Sequence, residues 1–195
     1  MTALSALDSI HKKGLFGSHH KKNENEILEI SEIKNLTIIQ IVQYKKSNIH
    51  LNEIKIDDLN FPNENSSSAS GKDTRIIWNA PKTWIIISNK ENIIELIKSK
   101  CKDTDFAITD ISHSRAVLKI KGIKAKEVLK KGSPLNFNDF EVNKCAGTVF
   151  HGISIVLDLI SNDPDTFIIL TLRSFGETFY HHITDASLEF GYIGV

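Results

Sequence analysis

Apolar positions along the chain follow two periods. Residues 36–43 (LTIIQIVQ) are β-branched and partly alternating, and residues 48–56 alternate, so both read as strands. Residues 61–72, with a Ser/Ala run ending at Gly71, have loop composition. Strand signal resumes at 75–78 and 84–88, around a turn set by Pro81. The helical period follows. Ile93, Ile94, Ile97 and Cys101 fall on one helical face, with Asn89 as the expected cap and Glu91 in the first turn. Residues 106–111 return to strand character.

The second half repeats the theme. Residues 116–120 alternate, Gly122 punctuates, and 123–131 read as a short helix burying Ala125, Val128 and Leu129. Gly132 is the expected left-handed stop, and Pro134 forbids continuation. Residues 154–160 and 167–172 predict a hairpin across 161–165. Ser174 followed by Glu177 reads as a capping box opening the last helix. Phe175, Phe179, His182, Ile183 and 188–190 mark that helix's expected buried side, and Gly191 ends it. Frequent hairpins and few helices predict an α+β fold of two similar strand-helix-strand halves, with mostly antiparallel sheets and helices on one face. The expected lobes are residues 34–112 and 113–195, preceded by a polar tail over 1–33.

Composition narrows the function classes. Lys plus Arg and Asp plus Glu are 24 each, so no global field draws nucleic acid or an anionic membrane. No run approaches the ~18 apolar residues that span a bilayer, and the opening residues lack a secretory apolar core. Cys101 and Cys145 match neither a disulfide framework nor a metal spacing, which suits reduced thiols in a cytoplasm. The Lys-, Asn- and Ile-rich usage resembles that of an AT-rich bacterial genome. His19, His20, Lys21 and Lys22 raise metal or phosphate binding against a plain solvated tail, and the tail is the simpler reading.

Asp110-Ile111-Ser112-His113-Ser114-Arg115 holds a carboxylate, a hydroxyl, an imidazole and a guanidinium within six residues. An extended backbone puts Asp110 and His113 on opposite faces, which opposes a local catalytic relay. A strand-to-strand corner is the alternative, with Asp110 and Ser112 bonding backbone amides and Arg115 tying the corner down. A hydrolase using His113 is the weaker reading. Gly122 with Lys124 lacks the glycine density of a phosphate loop. Arg173 suits an anion or a partner's acidic group. His181 and His182 point about 100° apart on a helix, so they are poor co-ligands.

Taken in order, Trp78-Asn79-Ala80-Pro81-Lys82-Thr83-Trp84, the Asp110–Arg115 segment, residues 117–122, residues 128–135, Cys145-Ala146-Gly147-Thr148 and Leu172-Arg173-Ser174-Phe175 resemble the gamma subunit of heterotetrameric sarcosine oxidase. More broadly they resemble the folate-binding domain of glycine-cleavage T-protein. The resemblance spans about residues 36–191. It implies a non-catalytic structural subunit, partnered by alpha, beta and delta chains, in a complex that oxidatively demethylates sarcosine to glycine. FAD, FMN, NAD and tetrahydrofolate would belong to other subunits, with no cofactor and no metal held by this chain. Trp78, Trp84 and Phe175 are then candidate docking residues, with Asp110, Ser112, His113, Arg115, Arg173 and Ser174 as interface or structural candidates. Ser133-Pro134-Leu135 stands where the iron-sulfur maintenance relatives of the fold carry a cysteine after Lys-Gly, so their nucleophile is missing. A free-standing folate-binding protein or aminomethyltransferase-like one-carbon transferase is the alternative, although T-proteins are roughly twice this length.

Overall fold

The chain alternates short β segments with three helices because its β-branched runs are brief and broken by turn residues. A computed structural model describes residues 5–20, 22–23 and 26–195. The strands are β1 (Gly14–Phe16), β2 (Leu28–Glu32), β3 (Thr37–Gln43), β4 (Lys55–Ile56), β5 (Leu59–Asn60), β6 (Ser68–Ser70), β7 (Thr74–Ala80), β8 (Thr83–Ser88), β9 (Phe106–Asp110), β10 (Arg115–Lys121), β11 (Cys145–Phe150), β12 (Ile153–Asn162), β13 (Asp165–Leu172) and β14 (Tyr192–Gly194). The α-helices are α1 (Ile93–Lys100), α2 (Ala125–Lys130) and α3 (Gly176–Ser187). Two units divide the chain: the described residues of 1–34 with 114–142 and 147–195, and residues 35–113 with 143–146.

The first unit is a seven-stranded sheet in the order β1-β14-β2-β10-β13-β12-β11. The β10–β13 and β12–β13 ladders are antiparallel, whereas β14 pairs β2 in parallel. Here the structure departs from the solvated tail expected over 1–33. Leu28 and Ile30 are fully buried, and Ile30 sits opposite Ile120 of β10. The alternation Leu28, Ile30 against Glu29, Ser31 is the reason: one face enters the core while Glu29 pairs with Lys119 at 2.8 Å and lies 3.6 Å from Lys121. Lys22 donates to the Phe190 carbonyl at 2.9 Å, and the His19 and His20 rings lie tilted with centroids 4.6 Å apart. Lys21 of that basic run lies outside the described residues. Phe137, Phe140 and Phe167 form a mutual ring cluster with centroids 5.9–6.1 Å apart, and Phe150 meets Phe179 edge-on.

The second unit is a five-stranded antiparallel sheet, β6-β7-β8-β3-β9. Helix α1 covers one face through Ile93, Ile97 and Cys101 against Ile39, Ile41, Ile86 and Phe106. Among the described residues no helix is long and apolar enough to cross a membrane.

Local expectations fail where hydrogen bonding overrides composition. Residues 48–56 hold a 3₁₀ turn at Leu51–Glu53 and only the two-residue β4. The loop over 61–72 contains β6. The residue before α1 is Asn92 rather than Asn89, and Glu95 occupies the first turn. Ser174 falls inside a 3₁₀ turn, Arg173–Phe175, so α3 begins one residue later than expected, at Gly176, with no side-chain cap. Gly132 is absent from the positive-φ residues. It is required by space instead: a Cβ there would lie 2.7 Å from a Phe150 ring carbon. Gly191, at φ +70°, does adopt the left-handed stop. Phe175 and Leu188 are exposed, not on the buried side of the last helix.

Candidate functional site

Strand β9 stops at Asp110 because the chain turns there on its own polar side chains. Ser112 N–H and Oγ–H both donate to Asp110 Oδ1, at 2.9 and 2.6 Å. The same Ser112 Oγ accepts the Ile38 N–H at 2.9 Å, and Ile111 N–H donates to the Ile38 carbonyl at 2.9 Å. The Ser112 hydroxyl, then its amide, then the charge of His113 hold the Asp110 carboxyl below its ordinary range. The serine proton is thus committed to a carboxylate and its lone pair to an amide. A nucleophilic serine needs that proton directed to a base poised to take it. His113 is exposed and acts on Asp110 through charge. The arrangement ties the end of β9 to β3, and its chemistry is that of a corner.

Arg115 opens β10 in the first unit, opposite Leu172 of β13. Burial of its guanidinium pushes its pKa down, and Nη1 donates to the Ser114 carbonyl at 3.3 Å. Leu172, Arg173, Ser174 and Phe175 are all exposed, with Leu172 at 40% and Phe175 at 48%. Two large apolar side chains therefore stand in solvent around a cation and a hydroxyl.

The two tryptophans face each other across the β7–β8 hairpin. Trp84 is 3% exposed, donates its indole N–H to the Pro62 carbonyl at 3.0 Å and meets Phe61 edge-on. That removes Trp84 from the exposed docking set and makes it a core residue. Trp78 is half-buried against the same core. Cys145 and Cys101 are free and buried. Cys145 Sγ lies 3.2 Å from the carbonyls of Ser67 and Trp78, and burial raises the Cys101 thiol to about 11.

Two features escape reading along the sequence. The His151 and His182 rings meet at a tilt of 31° with centroids 5.0 Å apart, although they are far apart in sequence. A surface pocket of about 660 Å³ opens beside β9, floored by Cys101, Phe106 and Ile108 and rimmed by Tyr44, Lys98, Lys102 and Asp103. The i, i+4 lysines at 98 and 102 are the only linear trace of it. Among the described residues no group of three or more His, Cys, Asp or Glu is placed to hold a metal ion.

Residues 54–189 match the model of the "Sarcosine oxidase, gamma subunit family". Among solved structures, a chain of heterotetrameric sarcosine oxidase from Corynebacterium sp. U-96, in complex with pyrrole 2-carboxylate, superposes with a TM-score of 0.78 at 21% identity, covering 86% of this chain and 87% of that one. The glycine cleavage system aminomethyltransferase T from Bartonella henselae superposes with a TM-score of 0.58 at 13% identity. There the match covers 80% of this chain but 45% of the relative. At these identities the likeness establishes the fold. No curated protein sequence matches the chain.

Proposed function

Because this chain belongs to the sarcosine oxidase gamma subunit family, we propose that it serves as a non-catalytic, packing subunit of an oxidoreductase complex. In this reading the complex oxidatively demethylates sarcosine to glycine with O2 and tetrahydrofolate, giving hydrogen peroxide and 5,10-methylenetetrahydrofolate. The partners are alpha, beta and delta chains, which hold FAD, FMN, NAD and tetrahydrofolate, and the setting is a bacterial cytoplasm. The observation that carries the reading is the exposed run Leu172–Phe175, which presents two large apolar side chains beside Arg173 and Ser174. Such side chains exposed in neighbouring positions suit an interface core ringed by polar groups. The closed hydrogen bonding of Ser112 and Asp110 supports a structural rather than reactive role for the most chemistry-rich segment.

Co-expression with candidate alpha, beta and delta chains, followed by size-exclusion chromatography, tests the proposal. The chain should co-elute with flavin colour. A Leu172→Asp/Phe175→Asp double variant should elute alone with an unchanged circular dichroism spectrum. Elution of the unmodified chain by itself would oppose the subunit role. Turnover, or micromolar binding of tetrahydrofolate, by the isolated chain would oppose the non-catalytic role and favour a folate-binding protein.

A further inference from the structure

The five-stranded sheet of the second unit treats its two edges differently. At one edge, β6 is three short polar residues, and the chain beside it is already engaged: Ser68 N–H donates to the Asn143 carbonyl at 2.8 Å, and Ser67 bridges Lys144. Short polar edges of this kind resist further pairing. At the other edge, β9 is five residues long and, among the described residues, pairs β3 alone.

The register fixes which groups of β9 are spent. Tyr44 N–H donates to the Asp105 carbonyl and Ile111 N–H to the Ile38 carbonyl. In an antiparallel ladder bonded pairs alternate, so Ala107 and Thr109 bond β3 while Phe106, Ile108 and Asp110 turn their polar groups outward. Phe106 N–H is taken by the Lys102 carbonyl at 2.9 Å. The outward N–H and C=O of Ile108 meet no partner among the described residues.

Side chains at the same edge carry a pattern. Phe106, Ile108 and Asp110 share one face by strand alternation. The pocket opens at this edge of the strand, with an apolar floor at Phe106, Ile108 and Cys101 and Ala107 also lining it. Lys98 and Lys102 stand at its Phe106 end, and Asp103 on the rim offsets part of their charge. Asp110, an exposed carboxylate, marks the opposite end of the strand. The edge thus reads cation, apolar, anion.

The geometry points to a β-augmentation site at β9. It takes an extended segment of another polypeptide as a sixth strand, with an apolar side chain over Ile108, an acidic one toward Lys98 and Lys102, and a basic one toward Asp110. Backbone bonds to Ile108 supply generic affinity, and the charge pattern supplies register and selectivity. The inference concerns the second unit's own sheet and does not rest on the subunit role proposed above.

The test is a titration of the isotopically labelled full chain, followed by amide chemical shifts, with the peptide acetyl-Lys-Thr-Val-Thr-Glu-amide. Its β-branched centre favours the extended state, and antiparallel docking sets its charges against those of the edge. The expected result is saturable shifts in β9 and residues 98–102, with a Kd of about 1 mM or tighter. The Lys98→Glu/Lys102→Glu variant, altered only at exposed positions, should bind at least about tenfold more weakly. Ile108→Pro should abolish binding while Trp84 emission stays native, because the deleted N–H is not part of the β3 ladder. If that variant unfolds, the charge-reversal pair decides. Absence of saturation in that range, or unchanged affinity in the charge-reversal variant, overturns the proposal. So do β9 shifts that follow protein concentration without peptide, since a second copy then occupies the edge.

Discussion

The two units solve the same packing problem with different parts of the chain. The second is nearly continuous, residues 35–113 plus a four-residue visit at 143–146, and its sheet is built on isoleucine with one helix over it. The first gathers three separated stretches, and its core relies on phenylalanine pairs such as Phe137–Phe167 and Phe150–Phe179. β-branched strands with near neighbours in sequence close at low loop entropy, whereas the first unit must bring β2, β10 and β14 together from afar. The described residues before 35 thus supply two strands, β1 and β2, to the first unit's sheet. Both tryptophans, Trp78 and Trp84, lie in the second unit, so their fluorescence reports on that unit alone.

The sharpest break in the comparison is Ile30→Asp. A carboxylate forced into the centre of the seven-stranded sheet should cost more than about 4 kcal/mol and unfold the first unit. Far-UV circular dichroism should fall while Trp84 emission stays native. Loss of both signals would mean that the units do not fold separately. Next comes Ile86→Ala in the second sheet, which should destabilise that unit by about 2–5 kcal/mol, read as a lower denaturant midpoint by tryptophan, and spare the first unit's transition. Gly132→Ala should destabilise the first unit by about 1–3 kcal/mol, because the new methyl meets the Phe150 ring. Ser112→Ala should cost the second unit about 1–2 kcal/mol, since the Ile38 amide loses its acceptor. Unchanged denaturation curves in either variant would count against the stated contacts.

Acid should act on both units, and most weakly. Glu29 and Glu127 in the first unit, and Asp57, Asp105 and Asp110 in the second, all sit below their ordinary carboxyl range. Lysine partners are the leading cause for Glu29, Glu127 and Asp57, and hydroxyl donors for Asp105 and Asp110. Their stabilisation is complete above the unfolded-state values, 3.8 for Asp and 4.5 for Glu, and is lost as pH falls through the lower folded values. Denaturation at neutral and strongly acid pH should show reduced midpoints in acid for both transitions. A midpoint that holds or rises in acid would contradict the sign.

Much of this architecture was legible in residue order because local physics agreed with the tertiary result. The alternation in 36–43 became β3, Ile93 and Ile97 became the buried side of α1 with Cys101 just past its end, and the turn expected over 161–165 tightened to Asp163 and Pro164 between β12 and β13. Strand β2 was hidden because its two apolar residues are too few to stand out among charges, and their burial depends on β10 far along the chain. Ser174 does not cap the last helix because a 3₁₀ turn precedes the helix start, a choice set by backbone bonding rather than residue type. At the candidate sites, residue order placed Phe175 both on a buried helix face and in a docking set, and the burial of Trp84 depends on Pro62, 22 residues upstream. The edge of β9 has no linear signature at all: which amides remain outward is a property of register.

The parallel pairing of Tyr192–Gly194 with Leu28–Ile30 has a consequence for biosynthesis. On the ribosome, residues 28–32 emerge about 160 residues ahead of their parallel neighbour, Tyr192–Gly194. At about 5–20 residues per second, the edge of β2 that takes β14 stays without that neighbour for roughly ten seconds or more, although β10 emerges sooner on the other edge. Glu29, Glu32 and the polar residues just upstream are well placed to keep it from sticking elsewhere during the wait.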